Sequence, residues 1–117
     1  MRRAALLLVV VAAAGCGSGS KPAAVGAGDP QRGKQVIEYI GCGACHTIPG
    51  IPGATGSVGP TLAGYKAQPK VLGLFANTPA NLARWVRQPQ RFLPGGVMPN
   101  LGRTRAQSED VAAYIDR

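Results

Sequence analysis

One pentapeptide, Cys42-Gly43-Ala44-Cys45-His46, limits what this chain can become more than any other stretch. C-x-x-C-H is the attachment signal of a c-type haem. Two thiols separated by two residues reach the two vinyl groups of one porphyrin and form thioethers. The next residue is then carried under the ring, where a histidine nitrogen can bind the iron. Two other readings use the same cysteines. A C-x-x-C redox dithiol does not need a histidine in that place and usually lies beside a βαβ pattern, which this chain lacks. A structural zinc ion takes four Cys or His ligands. Here there are three Cys and one His in all, and Cys16 lies far from the rest.

The chain is 117 residues long, with 5% aromatics and 27 residues of Gly plus Pro. One small domain is expected. A domain of this size buries only about 60% of its unfolded surface and is marginally stable alone; a covalent haem would supplement its core.

The N-terminus is expected to be a processing and anchoring segment. Arg2 and Arg3 precede an unbroken apolar run from Ala4 to Ala14. Those eleven residues suit a signal peptide and fall short of the roughly 20 needed to cross a bilayer. The run ends Ala13-Ala14-Gly15-Cys16, which resembles a bacterial lipobox, with Ala13 where Leu is commoner. On that reading residues 1–15 are removed and Cys16 is lipidated. The alternative is an ordinary signal peptide cleaved nearby. Residues 16–28 supply the lipidated Cys and a Gly/Ser/Ala/Pro tether, and residues 29–117 the folded domain. The protein is then exported and held at the bacterial cell envelope, periplasmic or on the outer face of the cytoplasmic membrane.

The formal charge is +8; without Arg2 and Arg3 eleven basic residues face five acidic ones, or +6. There is no K/R run, and an exported protein rarely meets nucleic acid, so no nucleic-acid partner is expected. An acidic face on a redox partner or anionic lipid fits the charge better; an ordinary solvated surface fits it too.

Within the domain, Asp29-Pro30 and Thr78-Pro79 are each a cap residue followed by Pro at the first helical position. They predict helices to about Ile40 and about Gln88. Gly33 lies inside the first, where it costs about 1 kcal/mol against Ala; close approach of another helix is a reason for it, and chance is another. Residues 47–61 are rich in Gly and Pro and read as loop. The Pro60 carbonyl is a candidate to accept the second N–H of His46, and Leu62 and Tyr65 are candidates to pack on the ring edge. Trp85 reads either as a pocket wall or as a plain core aromatic. Pro89 is expected to end the second helix, with loop from Arg91 to Gly96. A last helix is expected with Ser108 as N-cap and Val111, Tyr114 and Ile115 as its apolar stripe. Besides the initiator, Met98 is the only methionine. It stands in a Pro/Gly loop instead of on an apolar helix face. If the iron is six-coordinate through a soft or imidazole ligand, Met98 is the remaining candidate, and a thioether there raises the potential.

Taken together, Cys42-x-x-Cys45-His46, Gly59-Pro60, the stretch from Asn77 to Pro99 and a short final helix ending in Tyr114 resemble a class I (mitochondrial-type) cytochrome c. The stretch Asn81 to Pro99 is most similar to the cytochrome c domain of caa3-type oxidase subunit II. The resemblance implies an all-α fold of three main helices with long loops wrapped round one covalent haem c. It implies thioethers at Cys42 and Cys45, iron ligands His46 and Met98, the Pro60 carbonyl on the histidine, and Trp85 as the aromatic near the methionine. Gly33 and Tyr114 match a crossing of the terminal helices, with Ile37 where the family has Phe or Tyr. It further implies an electron carrier and not an enzyme, working between a quinol-oxidising complex or dehydrogenase and a terminal oxidase. An electron-accepting subunit of a periplasmic dehydrogenase is the second reading. A five-coordinate haem enzyme or gas sensor is a third, from a different class.

Overall fold

The structure, a computed structural model, describes residues 27–117. The expected signal peptide, Cys16 and most of the tether lie outside the described residues. Among the described residues there are four α-helices: α1 (Pro30–Ile40), α2 (Pro79–Arg87), α3 (Pro89–Phe92) and α4 (Arg105–Ile115). No helix among them is long and apolar enough to cross a membrane.

The start of α1 follows its sequence signal. Asp29 accepts from the Gln31 and Arg32 N–H groups at 2.7 and 3.0 Å, with Pro30 behind it. Those two amides are what hold the Asp29 carboxyl below its ordinary pKa. Gly41, at φ +80°, closes the helix and turns the chain into the pentapeptide. A left-handed φ at this point is cheap only for glycine.

α1 and α4 cross at Gly33. A Cβ there would collide with the Asp110 carbonyl oxygen and come within 3.1 Å of the Tyr114 Cβ. The crossing therefore brings backbone against backbone with no room for a methyl group. Ile37, 1% exposed, fills the space one turn on. A clamp reinforces the crossing. Arg32 Nε and Nη2 each donate to the buried Asp110 carboxylate at 3.0 Å, which also accepts from the Asp29 amide at 2.7 Å. Breaking such a pair leaves a buried charge without compensation.

α4 begins earlier than expected. Its N-cap is Thr104, which accepts from the Gln107 amide at 3.2 Å while the Gln107 side chain accepts from the Thr104 amide at 3.1 Å. This reciprocal capping box outcompetes Ser108. Ser108 is instead buried in the first turn, its hydroxyl donating to the Thr104 carbonyl at 3.0 Å. α4 thus gains a turn with which to pack against both α1 and α2.

Pro89 ends α2 as expected, but it also opens the single turn α3, where a loop is expected from Arg91. A proline lacks the N–H that an α2 interior would need, and it is pre-shaped for a first helical position. Lys70–Val71 (β1) and Phe75–Ala76 (β2) pair antiparallel, Lys70 opposite Ala76 and Val71 opposite Phe75. Asn77 holds this hairpin against the turn before it, donating to the Tyr65 and Gln68 carbonyls at 2.9 and 3.0 Å. The core joins Ile37, Ile48, Val71, Leu82, Trp85, Val86, Val111 and Tyr114 in one cluster.

Candidate functional site

The pentapeptide coils immediately after α1. Cys42–Ala44 form a 3₁₀ turn, closed by Ala44 N–H to the Gly41 carbonyl at 3.0 Å. Cys45 and His46 N–H both donate to the Cys42 carbonyl, at 3.2 and 3.0 Å. This winding carries the cysteines, three residues apart, to neighbouring positions on one side of the turn. Cys42 is half-buried against the core, and Cys45 is exposed. Burial pushes the Cys42 thiol above its ordinary pKa, with the nearby Arg103 only partly opposing. An activated attacking thiol has the opposite shift. Among the described residues no group of three or more His, Cys, Asp or Glu is placed to hold a bare metal ion.

His46 is held at one ring nitrogen. Its Nδ1 lies 2.8 Å from the Pro60 carbonyl oxygen. A carbonyl can only accept, so Nδ1 carries the proton and Nε2 keeps its lone pair. That is the tautomer a metal-binding imidazole needs, and the carbonyl raises its donor strength. The expected role of the Pro60 carbonyl is thus met in geometry.

The loop between His46 and Leu62 is shaped by close approaches. A Cβ on Gly59 would strike the His46 ring, coming 2.7 Å from Nδ1. A Cβ on Gly56 would lie 2.5 Å from the Ala44 carbonyl oxygen, and one on Gly43 2.7 Å from Ala54. Backbone bonds stitch the same surfaces together: Gly59 N–H to the Cys45 carbonyl at 2.7 Å, and Gly56 N–H to the Gly43 carbonyl at 3.0 Å. The loop therefore lies directly against the pentapeptide, and its glycines are positioning residues for His46. Their signal was a glycine density beyond what turns alone require.

Met98 is half-buried and packs against the core cluster that also receives Cys42 and Leu62. Its loop is held by a residue with no local sequence signal. The Gln90 amide nitrogen donates to the Gly96 and Met98 carbonyls, both at 2.7 Å, and its oxygen accepts from Gly95 N–H at 3.0 Å. Trp85 is 9% exposed and belongs to the core. Lys66 lies 3.7 Å from the Asp116 carboxylate.

A family model for cytochrome c matches residues 30–117. The chain belongs to the cytochrome c family. It is also 35% identical over 69 residues to cytochrome c oxidase subunit 2 of Alkalihalophilus pseudofirmus, a match covering 58% of this chain and 19% of that protein. The chain therefore spans about a fifth of the relative's length. No solved structure matches.

The fold is that of a class I cytochrome c, and the protein binds covalent haem c. The site fits that group on three observations. Two unpaired thiols share one turn. The imidazole beside them is fixed in the Nε2-basic tautomer. Gly59, having no Cβ, leaves room for that ring.

Proposed function

We propose that this cytochrome is a membrane-tethered monohaem carrier that passes single electrons in a respiratory chain, with a terminal oxidase as its acceptor. Electron transfer follows from the family; the tether and the acceptor are the proposal. The observation that carries the two-ligand carrier reading is the paired restraint of His46 by Pro60 and of the Met98 loop by Gln90.

Bound haem supplies a one-electron iron couple. The chain's residues do the rest. Cys42 and Cys45 would hold the porphyrin by thioethers. His46 Nε2 and the Met98 sulfur would bind the iron, which would leave no site for substrate. Leu62 and Trp85 would give the site apolar walls. A thioether ligand favours the reduced state and raises the potential. The acceptor is supported by the similarity to an oxidase subunit 2 and the tether by the Ala13-Ala14-Gly15-Cys16 pattern.

The test uses the purified reduced protein and membranes that contain a terminal oxidase. Rapid, cyanide-sensitive oxidation is expected. Carbon monoxide is not expected to bind the reduced protein at neutral pH. Ready binding of carbon monoxide would instead favour an open-iron enzyme or sensor.

A further inference from the structure

The folded domain carries more basic than acidic side chains. Each of its five carboxylates has a basic partner: Asp29 and Asp110 with Arg32, Glu38 with Lys34, Asp116 with Lys66, and Glu109 with Arg105. The excess positive charge therefore falls on residues outside these pairs. Two of them, Arg84 and Arg87, stand one turn apart on the exposed side of α2, in its last turn.

Those two arginines line a groove between α2 and α4 of about 320 Å³. Arg105 faces them from α4 with its ion-pair partner Glu109, which also lines the groove, as do the small residues Ala80, Ala83 and Ser108. Arg84 is already placed: its guanidinium lies 5.5 Å from the Phe92 ring centre, and Nη1 is 3.4 Å from the Asn81 oxygen. The guanidinium fork suits phosphate better than any other side chain does.

The chain enters the domain beside this groove. Gly28 lies so close to α4 that a Cβ on it would strike the Glu109 carbonyl. Ala27, Gly28 and Glu109 line a neighbouring cleft, so that Glu109 borders both. Ala27 therefore lies on the Glu109 side of the groove. A tether from there to a lipidated Cys16 would keep this side of the domain within reach of the membrane.

We infer that the α2–α4 groove receives the phosphate headgroup of an anionic phospholipid and so lays this face of the domain on the membrane. The inference rests on the lipid-anchor reading for its effective concentration. Each arginine near an anionic surface strengthens binding about fivefold, and the effect fades within a Debye length of about 8 Å. The groove therefore orients a domain that is already tethered.

The test uses the full, haem-loaded chain with Ala80→Cys carrying a nitroxide, its position checked by mass spectrometry. It is mixed with vesicles of phosphatidylcholine, or of phosphatidylcholine with phosphatidylglycerol, and floated. Flotation with both is expected. The nitroxide should be shielded from a water-soluble relaxing agent only on the phosphatidylglycerol vesicles. High salt or the pair Arg84→Gln and Arg87→Gln should abolish that shielding, whereas Lys70→Gln should not. Flotation with both vesicles but equal nitroxide exposure overturns the groove and leaves the anchor standing. Flotation on phosphatidylglycerol alone, lost in the double variant, upholds the groove and removes the anchor. If it persists in that variant, or if nothing floats, the groove is overturned.

Discussion

The two candidate ligand sides of the haem site are built differently. On the histidine side the ring itself is held: the Pro60 carbonyl fixes the proton on Nδ1 and Gly59 leaves only room for the imidazole. On the methionine side the side chain has no hydrogen bond. Gln90 instead holds the backbone carbonyls of Gly96 and Met98, and the thioether follows the backbone. A hard, directional ligand is controlled through its own hydrogen bond. A soft, flexible one is controlled through the loop that carries it. With His46 and Met98 as the proposed ligands, the histidine side would set the electronics and the methionine side how readily the sixth position opens.

The largest effect should come from removing the methionine ligand. Met98→Ala should lower the potential by a sizeable share of the roughly 0.8 V that axial ligation spans, and it should let carbon monoxide bind the reduced protein. Potentiometric titration and a carbon monoxide difference spectrum measure both. An unchanged potential would remove the methionine side from the comparison altogether.

Gly59→Ala should come next. Its Cβ has nowhere to go but into the His46 ring, and overpacking of this kind costs about 1–3 kcal/mol. Haem attachment should fall sharply, read as the ratio of haem absorbance to protein. Gly33→Ala provides the contrast. It strains the α1–α4 crossing by the same mechanism, so it should lower the melting temperature while any protein that folds keeps a normal haem spectrum.

Gln90→Ala sharpens the difference between the two sides. It removes both bonds to the loop carbonyls, at about 1 kcal/mol of net stability each. The potential should move little while carbon monoxide binds the reduced protein faster than in the parent, seen by stopped-flow. A large change in potential with no change in access would mean that Gln90 acts on electronics, not on the loop.

These effects trace back to features of very different legibility. The haem attachment was readable because thioether chemistry is local: five consecutive residues carry it. The α1–α4 crossing was readable from one glycine in a helical pattern, and the caps at Asp29 and Thr78 from their following prolines. Gln90 was invisible because its partners lie six and eight residues away and are backbone atoms. The hairpin from Lys70 to Ala76 has two residues per strand, too few to show an alternating pattern. Ser108 misled because it has the right chemistry for a cap, but Thr104 with Gln107 satisfies two amides where Ser108 could satisfy one. Pro89 was read only as a stop, although the same fixed φ suits a start.

The smallest effect concerns acid. Hydrogen bonds from the Arg32 and Gln31 amides lower the Asp29 pKa in the folded state. Its charge then contributes stability that is whole above about pH 4, the unfolded value, and is lost as pH falls through the lower folded value. Asp29→Asn keeps a capping side chain without the charge. Its stability should therefore fall less steeply below pH 4 than the parent's, read as acid unfolding followed by circular dichroism. Neither ligand side should respond, since Asp29 belongs to the helix crossing.

The central claim is that His46 and Met98 together hold the iron of one covalent haem. The near-infrared spectrum of the oxidised protein tests it most directly, through the charge-transfer band that arises when a thioether sulfur binds ferric haem iron. The band should be present in the parent, absent in Met98→Ala and still present in Gln90→Ala. Its absence from the parent, or its survival in Met98→Ala, would contradict the claim.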